Sequence, residues 1–270
     1  MRTHAILFPF ELFGNGGTGA GAQLLGDVLR EMIDDGEKEN RATRSSAYRD
    51  KLRVKEYGFE TLEEVANWRS TGRAAVKKSL AAKDFLLWLG GNHLSVMPVY
   101  EELGADTLVI LFDAHLDIYN LHDCTPELSH GNFLLHAEKP LPRVINIGSR
   151  DLFLSSKHVG RTYEKVFPAA AVATNLAGII AECQQRAESA KQIWIDIDVD
   201  SIDPAFCPAV HQPLPFGLMP MQLLAVLDAI WSEKVIGVSI VEFDPGRDVG
   251  DTSLNLLGWL LEWMLLKHHE

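Results

Sequence analysis

Three things are scarce in this 270-residue sequence. There are three cysteines, Cys124, Cys183 and Cys207, with no CxxC and no paired spacing. An odd and sparse count argues against a disulfide scaffold and suits a reducing compartment. No segment approaches the ~18–20 consecutive apolar residues that span a bilayer. The apolar run in "MRTHAILFPFEL" is too short and interrupted for a signal peptide, so a soluble, cytoplasmic protein is expected. Positive charge is also scarce: 25 Lys and Arg stand against 37 Asp and Glu, a formal charge of −12. A nucleic-acid groove or an anionic-membrane surface needs the opposite balance, so neither partner is expected.

What is present is ordinary for a globular chain, with 47% hydrophobic and 23% charged residues. No internal repeat or low-complexity linker interrupts it, so residues 1–270 are expected to form one domain. The polar stretch 34–53 is the single candidate for a mobile excursion. Short apolar runs recur at 4–10, 85–90, 107–113, 143–148, 192–198 and 234–244, and each reads as a buried strand. Helical patterns lie between them, at 21–34, 61–82, 176–190, 220–232 and 253–267. This alternation predicts an α/β fold with three layers, a central and mostly parallel sheet covered by helices on both faces. In such sheets, ligand-binding residues collect where the strands end at their carboxyl edge.

Polar residues following the apolar runs are therefore informative. "IWIDIDVDSIDP" (193–204) sets Asp196, Asp198 and Asp200 on alternate positions. On a strand they would share one face about 6.7 Å apart. Like charges at that spacing repel by roughly 2–3 kcal/mol at an effective dielectric of about 20. Bound cations remove such a penalty. "LFDAHLDIYN" (111–120) places Asp113, His115 and Asp117 after another run, a donor set suited to a divalent cation. "WLGGNHLS" (88–95) adds His93, which read alone is either a ligand or a turn residue. Together these strand ends offer two imidazoles and four carboxylates, too many for one small ion and suited to two.

His130, in "ELSHGNF", is either a proton shuttle or a loop anchor. Glu242, in "VSIVEFDP", either grips a cationic substrate or begins a helix. "GNGGTG" (14–19) fits a dinucleotide fingerprint in form. It lacks the second strand ending in an acid about 20 residues on, so it reads as a turn into a helix. Cys183, Trp259 and Trp263 read as packing residues, and "KHHE" at the end reads as a frayed polar tail.

In order, Gly-Gly-Asn-His93, Asp113-Ala-His115-Leu-Asp117, His130-Gly131, Asp198-Val-Asp200-Ser-Ile-Asp203-Pro204 and Val-Glu242 resemble the ureohydrolase family of arginases and agmatinases. The resemblance implies an arginase-like α/β/α domain with two Mn2+ per subunit. Asp113 and Asp198 would bridge the ions, His93 and Asp117 would complete one site, and His115 and Asp200 the other. A hydroxide on that pair would attack a guanidinium carbon held by Glu242, with His130 relaying a proton to the leaving amine. Trimers or hexamers are implied as well.

Departures from the family pattern bear on the substrate. Asn92 replaces an acid that usually precedes the histidine. Tyr119, Cys124, Pro126 and Leu128 stand where arginases carry small polar residues for the amino acid's carboxylate. Phe153 replaces an acid that would hold the α-amino group, and Ala209-Val210-His211 replaces Gly-Thr-Gly. Tyr119, Phe153 and His211 are thus the expected contacts to the substrate's tail. The leading expectation is release of urea from an agmatine-like or guanidino-acid substrate rather than L-arginine. The alternatives are hydrolysis of a formimino or amide C–N bond, or a metal-stabilised binding protein without turnover. Asp196, where the family commonly has a small residue such as Ser, is left between a supporting position and a protonated one.

Overall fold

Residues 2–138 and 140–270 are described by a computed structural model. Eight strands run in chain order: β1 (Thr3–Phe8), β2 (Leu52–Glu56), β3 (Phe85–Gly90), β4 (Thr107–Phe112), β5 (Arg143–Ile147), β6 (Lys165–Phe167), β7 (Gln192–Asp198) and β8 (Val235–Val241). They form one sheet in the order β2-β1-β3-β8-β7-β4-β5-β6. Every pairing is parallel, so the sheet expected as mostly parallel is wholly so.

The strands read as continuous apolar runs because both faces are covered. Phe85, Leu87 and Leu89 of β3 join Ile193, Ile195 and Ile197 of β7 in one core, packed under the helices Thr18–Lys38, Ala169–Ser189, Pro220–Ile230 and Thr252–His269. Leu86, Trp88 and Trp194 point the other way, into a second core with residues of Trp68–Ala82 and Met97–Glu102. Alternation along β7 therefore puts Asp196 and Asp198 on the Trp194 face. Asp200 does not share it: the strand ends at Asp198, and Val199–Ser201 form a 3-10 turn.

Several boundaries differ from the sequence reading. The pattern at 61–82 is two helices, Leu62–Ala66 and Trp68–Ala82, meeting at Asn67. The helix expected from 176 does begin there, because Asn175 is non-helical (φ −144°, ψ 48°) and kinks the span Ala169–Ser189. The stretch 34–53 is not an excursion. Tyr48 within it is buried and its hydroxyl donates to Glu262 at 3.0 Å, while Leu52 opens β2. The terminal "KHHE" is not frayed, since the last helix runs through His269 and the His268 ring stacks on Phe85. No helix among the described residues is long and apolar enough to cross a membrane.

Strand order gathers the polar strand ends in one place. β3, β8, β7 and β4 are neighbours at the middle of the sheet. Their carboxyl ends lead directly to His93, Glu242, Asp198 and Asp113.

Candidate metal centre

His93 follows β3 through Gly90 and Gly91. A Cβ on Gly91 would lie 2.3 Å from the Phe10 carbonyl oxygen, so the chain turns here only without a side chain. The buried His93 ring points Nδ1 at three carboxylates: Asp117 Oδ2 at 2.7 Å, and Asp113 Oδ2 and Asp198 Oδ2 at 3.3 Å each. Asp113 Oδ2, Asp117 Oδ2 and His93 Nδ1 are buried without a hydrogen-bond partner. Donor atoms that converge in this way, with none satisfied by another, fit a cation at their common point.

A second group lies beside the first. His115 Nδ1 is 2.9 Å from Asp200 Oδ2 and 3.8 Å from Asp113 Oδ1. In both groups, His93–Asp113–Asp198 and Asp113–His115–Asp200, the potential ligand atoms lie within 4.8 Å of one another. Asp113 is common to the two, whereas Asp198 falls in one. Backbone amides fix the carboxylates: His115 N donates to Asp113 Oδ1 at 2.6 Å, Ala114 N to Asp200 Oδ1 at 3.2 Å and Asp200 N to Asp198 Oδ1 at 2.9 Å. Asp117 sits in the left-handed region at φ 47°, a backbone cost tolerated where a side chain must be aimed.

The electrostatics express the crowding. Burial, then the charge of Asp117, pushes the Asp113 carboxyl up to about 7. Burial, then Asp200 and Asp113, raises Asp198 well above the usual carboxylate range. Burial opposes protonation of His115, but the Asp200 carboxylate outweighs it and raises the imidazole to about 10. His93 is raised likewise, burial being overcome by Asp117 and Asp196. Divalent cations would take the place of these protons.

Asp196 is fully buried beneath the cluster. Its Oδ2 accepts from the Tyr100 hydroxyl at 2.9 Å and lies 3.2 Å from His93 Nε2, and Oδ1 accepts from the Ser239 hydroxyl at 2.5 Å. No spacing in the sequence assigns it this place. Asp203 shapes the turn that follows, accepting from Ala205 N at 3.0 Å and Gly217 N at 2.8 Å. Asn92 is buried, with Nδ2 donating to the Leu12 carbonyl at 3.2 Å.

Above the cluster opens a cavity of about 380 Å³. Glu242 lies on its wall at φ 65°, directly after β8. Its Oε1 accepts from His93 N at 2.8 Å and lies 3.3 Å from His130 Nδ1. Burial opposes a charge on His130, but the hydrogen bond to Glu242 raises its pKa. Oε2 accepts from Asn15 Nδ2 at 2.9 Å. Asn15 belongs to "GNGGTG", the motif read as a bare turn. Its loop does lead into a helix, but no sequence spacing signals a side chain reaching Glu242.

The cavity is lined further by Tyr119, Arg150, Asp151, Phe153, Gln212 and Leu214. Phe153 is 81% exposed and forms part of the rim. His211, expected to contact the substrate, is not among the lining residues. Its Nδ1 accepts from the Arg247 guanidinium at 3.3 Å, and Nε2 therefore donates to the Gly16 carbonyl beside Asp244, bracing the loop that carries Asn15. Arg150, Asp151, Gln212 and Leu214 escape a sequence reading because their neighbours carry no metal-like spacing. The Arg150 guanidinium donates to the Ser201 and Asp200 carbonyls.

Among known proteins, the model of the arginase family matches residues 4–266. The chain belongs to the arginase family. Arginase-family relatives include the mitochondrial arginase 1 of Arabidopsis thaliana, 30% identical over 180 residues, covering 61% of this chain and 49% of the plant protein. An N(1)-aminopropylagmatine ureohydrolase of Thermus thermophilus is 30% identical over 185 residues, covering 64% of this chain and 59% of that protein. The matches thus span about half the length of the first of these relatives. The arginase fold extends further: the structure of Bacillus subtilis arginase superposes with a TM-score of 0.80 at 20% identity, covering 98% of both chains.

Proposed function

We propose that this arginase-family chain hydrolyses a guanidino compound with a tail that is not an α-amino acid, releasing urea at a pair of manganese ions. The observation that carries the reading is the convergence of six ligand-type side chains directly beneath Glu242 and His130. His93, Asp117 and Asp198 would hold one ion and His115 and Asp200 the other, with Asp113 between them. The donor set of carboxylates and imidazoles, with no thiolate, suits manganese. When bound, such ions would supply Lewis acidity that lowers the pKa of water towards neutrality.

The chain's own residues do the rest. Glu242 accepts two N–H groups of the guanidinium by charge-assisted hydrogen bonds and turns its carbon towards the cluster. Holding the planar group in one orientation converts an encounter into an intramolecular reaction. His130, hydrogen-bonded to Glu242, carries a proton that it delivers to the amine as the C–N bond breaks. Burial of Glu242 and the backbone donor His93 N keep the carboxylate in place without a competing water shell.

The tail is chosen by the outer cavity. Among the described residues, Arg150 is the one Lys or Arg in its lining, and its guanidinium is already committed to two backbone carbonyls. A carboxylate on the tail would therefore meet no free cation, only the neutral donors Tyr119 and Gln212, and would lie in a lining shared with Asp151, a poorly compensated charge. This favours agmatine-like substrates over guanidino acids and L-arginine. Incubating the manganese-loaded protein with agmatine, guanidinobutyrate, guanidinopropionate and arginine tests the reading. Urea from agmatine is expected; no urea from any of the four overturns it.

A further inference from the structure

Asp196 is a fully buried carboxylate that the hydrolytic chemistry does not use. It is not a ligand: His93 lies between it and the cluster. We infer that Asp196 is a positioning residue that sets the tautomer of His93 and thereby decides whether one of the two metal sites fills. The inference rests on the binuclear reading above.

The hydrogen bonds around Asp196 leave little choice. The Trp194 indole N–H, which can only donate, gives its proton to Ser239 Oγ at 3.0 Å. Ser239 in turn donates to Asp196 Oδ1. Tyr100 donates to Oδ2. The third neighbour is His93 Nε2, 3.2 Å from Oδ2. A carboxylate has only acceptor positions, so Nε2 must carry the imidazole proton. In the neutral ring that binds a cation, the lone pair is then on Nδ1, the atom facing Asp113, Asp117 and Asp198. A histidine of the opposite tautomer would direct an N–H at the cation. The charge of Asp196 also makes His93 a stronger donor, as carboxylates behind metal-bound histidines do.

All four residues of this network are fully or almost fully buried, and they come from separate parts of the chain: Trp194 precedes Asp196 on β7, Ser239 lies opposite it on β8, and Tyr100 and His93 follow β3. The site is therefore built into the second core rather than assembled by surface side chains. Asn92, directly before His93, gives the ring no such partner, because its amide is turned to the Leu12 carbonyl.

The test compares Asp196→Asn and Asp196→Ser with the wild type by manganese titration calorimetry, bound-metal content and electron paramagnetic resonance. Asn can donate to Nε2 and so stabilise the wrong tautomer. Ser retains an acceptor but removes the charge. We expect Asp196→Asn to weaken one of the two manganese sites by about 10–100-fold, as for other supporting-residue changes, with the second affinity unchanged. Its resonance spectrum should become that of an isolated ion rather than a coupled pair, and Asp196→Ser should be milder. A folded Asp196→Asn protein that binds two ions with wild-type affinity overturns the inference. Should Asp196→Asn not fold, Tyr100→Phe and Ser239→Ala each remove one donor while keeping the carboxylate. A smaller loss at the same single site supports the inference, and unchanged affinities in both overturn it. A wild-type protein that binds fewer than two ions overturns the binuclear reading itself, and the inference with it.

Discussion

The Asn15 amide donates to Glu242 Oε2 at 2.9 Å across 227 positions of sequence. With His93 N on Oε1, it holds a carboxylate whose backbone is already in the left-handed region at φ 65°. Hydrogen bonds to charged groups are worth about 1.5–3 kcal/mol. Asn15→Ala should therefore lower kcat/KM for agmatine by roughly ten- to a hundredfold, with little change in melting temperature. Asn15→Asp, which sets a like charge beside Glu242, should be worse. Steady-state urea release checks both.

Glu242→Gln keeps the shape and removes the charge. Losing one partner of a buried, hydrogen-bonded charge pair costs about 2–5 kcal/mol. The expected loss in kcat/KM is on the order of 30- to 3,000-fold, with manganese content unchanged. Unchanged activity would remove Glu242 from the mechanism.

His130→Asn should reduce kcat by about 10²–10⁴, the usual contribution of a positioned acid or base. KM should move little, because Glu242 rather than His130 holds the guanidinium. A rise in KM at constant kcat would assign His130 to binding instead.

Removing metal should destabilise the protein, and increasingly so as the pH rises. Asp113 is raised from 3.8 to about 7 by burial and Asp117. His115 is raised from 6.5 to about 10, the Asp200 charge outweighing burial. For both groups the folded value exceeds the unfolded one, so the metal-free native state holds extra protons between the two values. Its stability falls as pH increases through that range. Asp113 contributes the loss from about 4 to 7 and His115 the loss from about 6.5 to 10. Melting curves of chelator-treated protein against pH should slope downward, and added manganese should restore stability most at the alkaline end.

Introducing a cation at the rim should redirect the substrate. Leu214→Arg places a guanidinium on a cavity wall that otherwise offers a carboxylate no free cation. The ratio of kcat/KM for guanidinobutyrate to that for agmatine should rise by about tenfold or more, the effect of a single charge-assisted hydrogen bond. An unchanged ratio would mean that the tail does not pass Leu214.

The strands at the centre of the sheet were legible because burial on both faces writes them as runs dominated by Val, Ile, Leu, Phe and Trp. β2 was not, since "LRVKE" lies at the sheet edge and exposes most of its side chains. β6 is three residues long, too short for any period to register. Tyr119 and Phe153 were placed at the cavity by resemblance, whereas the same reasoning put His211 there and the fold turned it onto Gly16.

By itself the sequence determined which residues could carry the chemistry. Imidazoles and carboxylates immediately after apolar runs must emerge at the carboxyl edge of a parallel sheet, and unpaired acids there demand a counter-charge. Only the tertiary structure decided how they divide. Placing β7 and β8 between β3 and β4 brings Asp198 to His93, sets Asn15 against Glu242, and slides Asp196 behind the imidazole. Those relations depend on which strands are neighbours and which way a ring or amide turns. They are settled by the packing of two buried cores, and no local spacing encodes them.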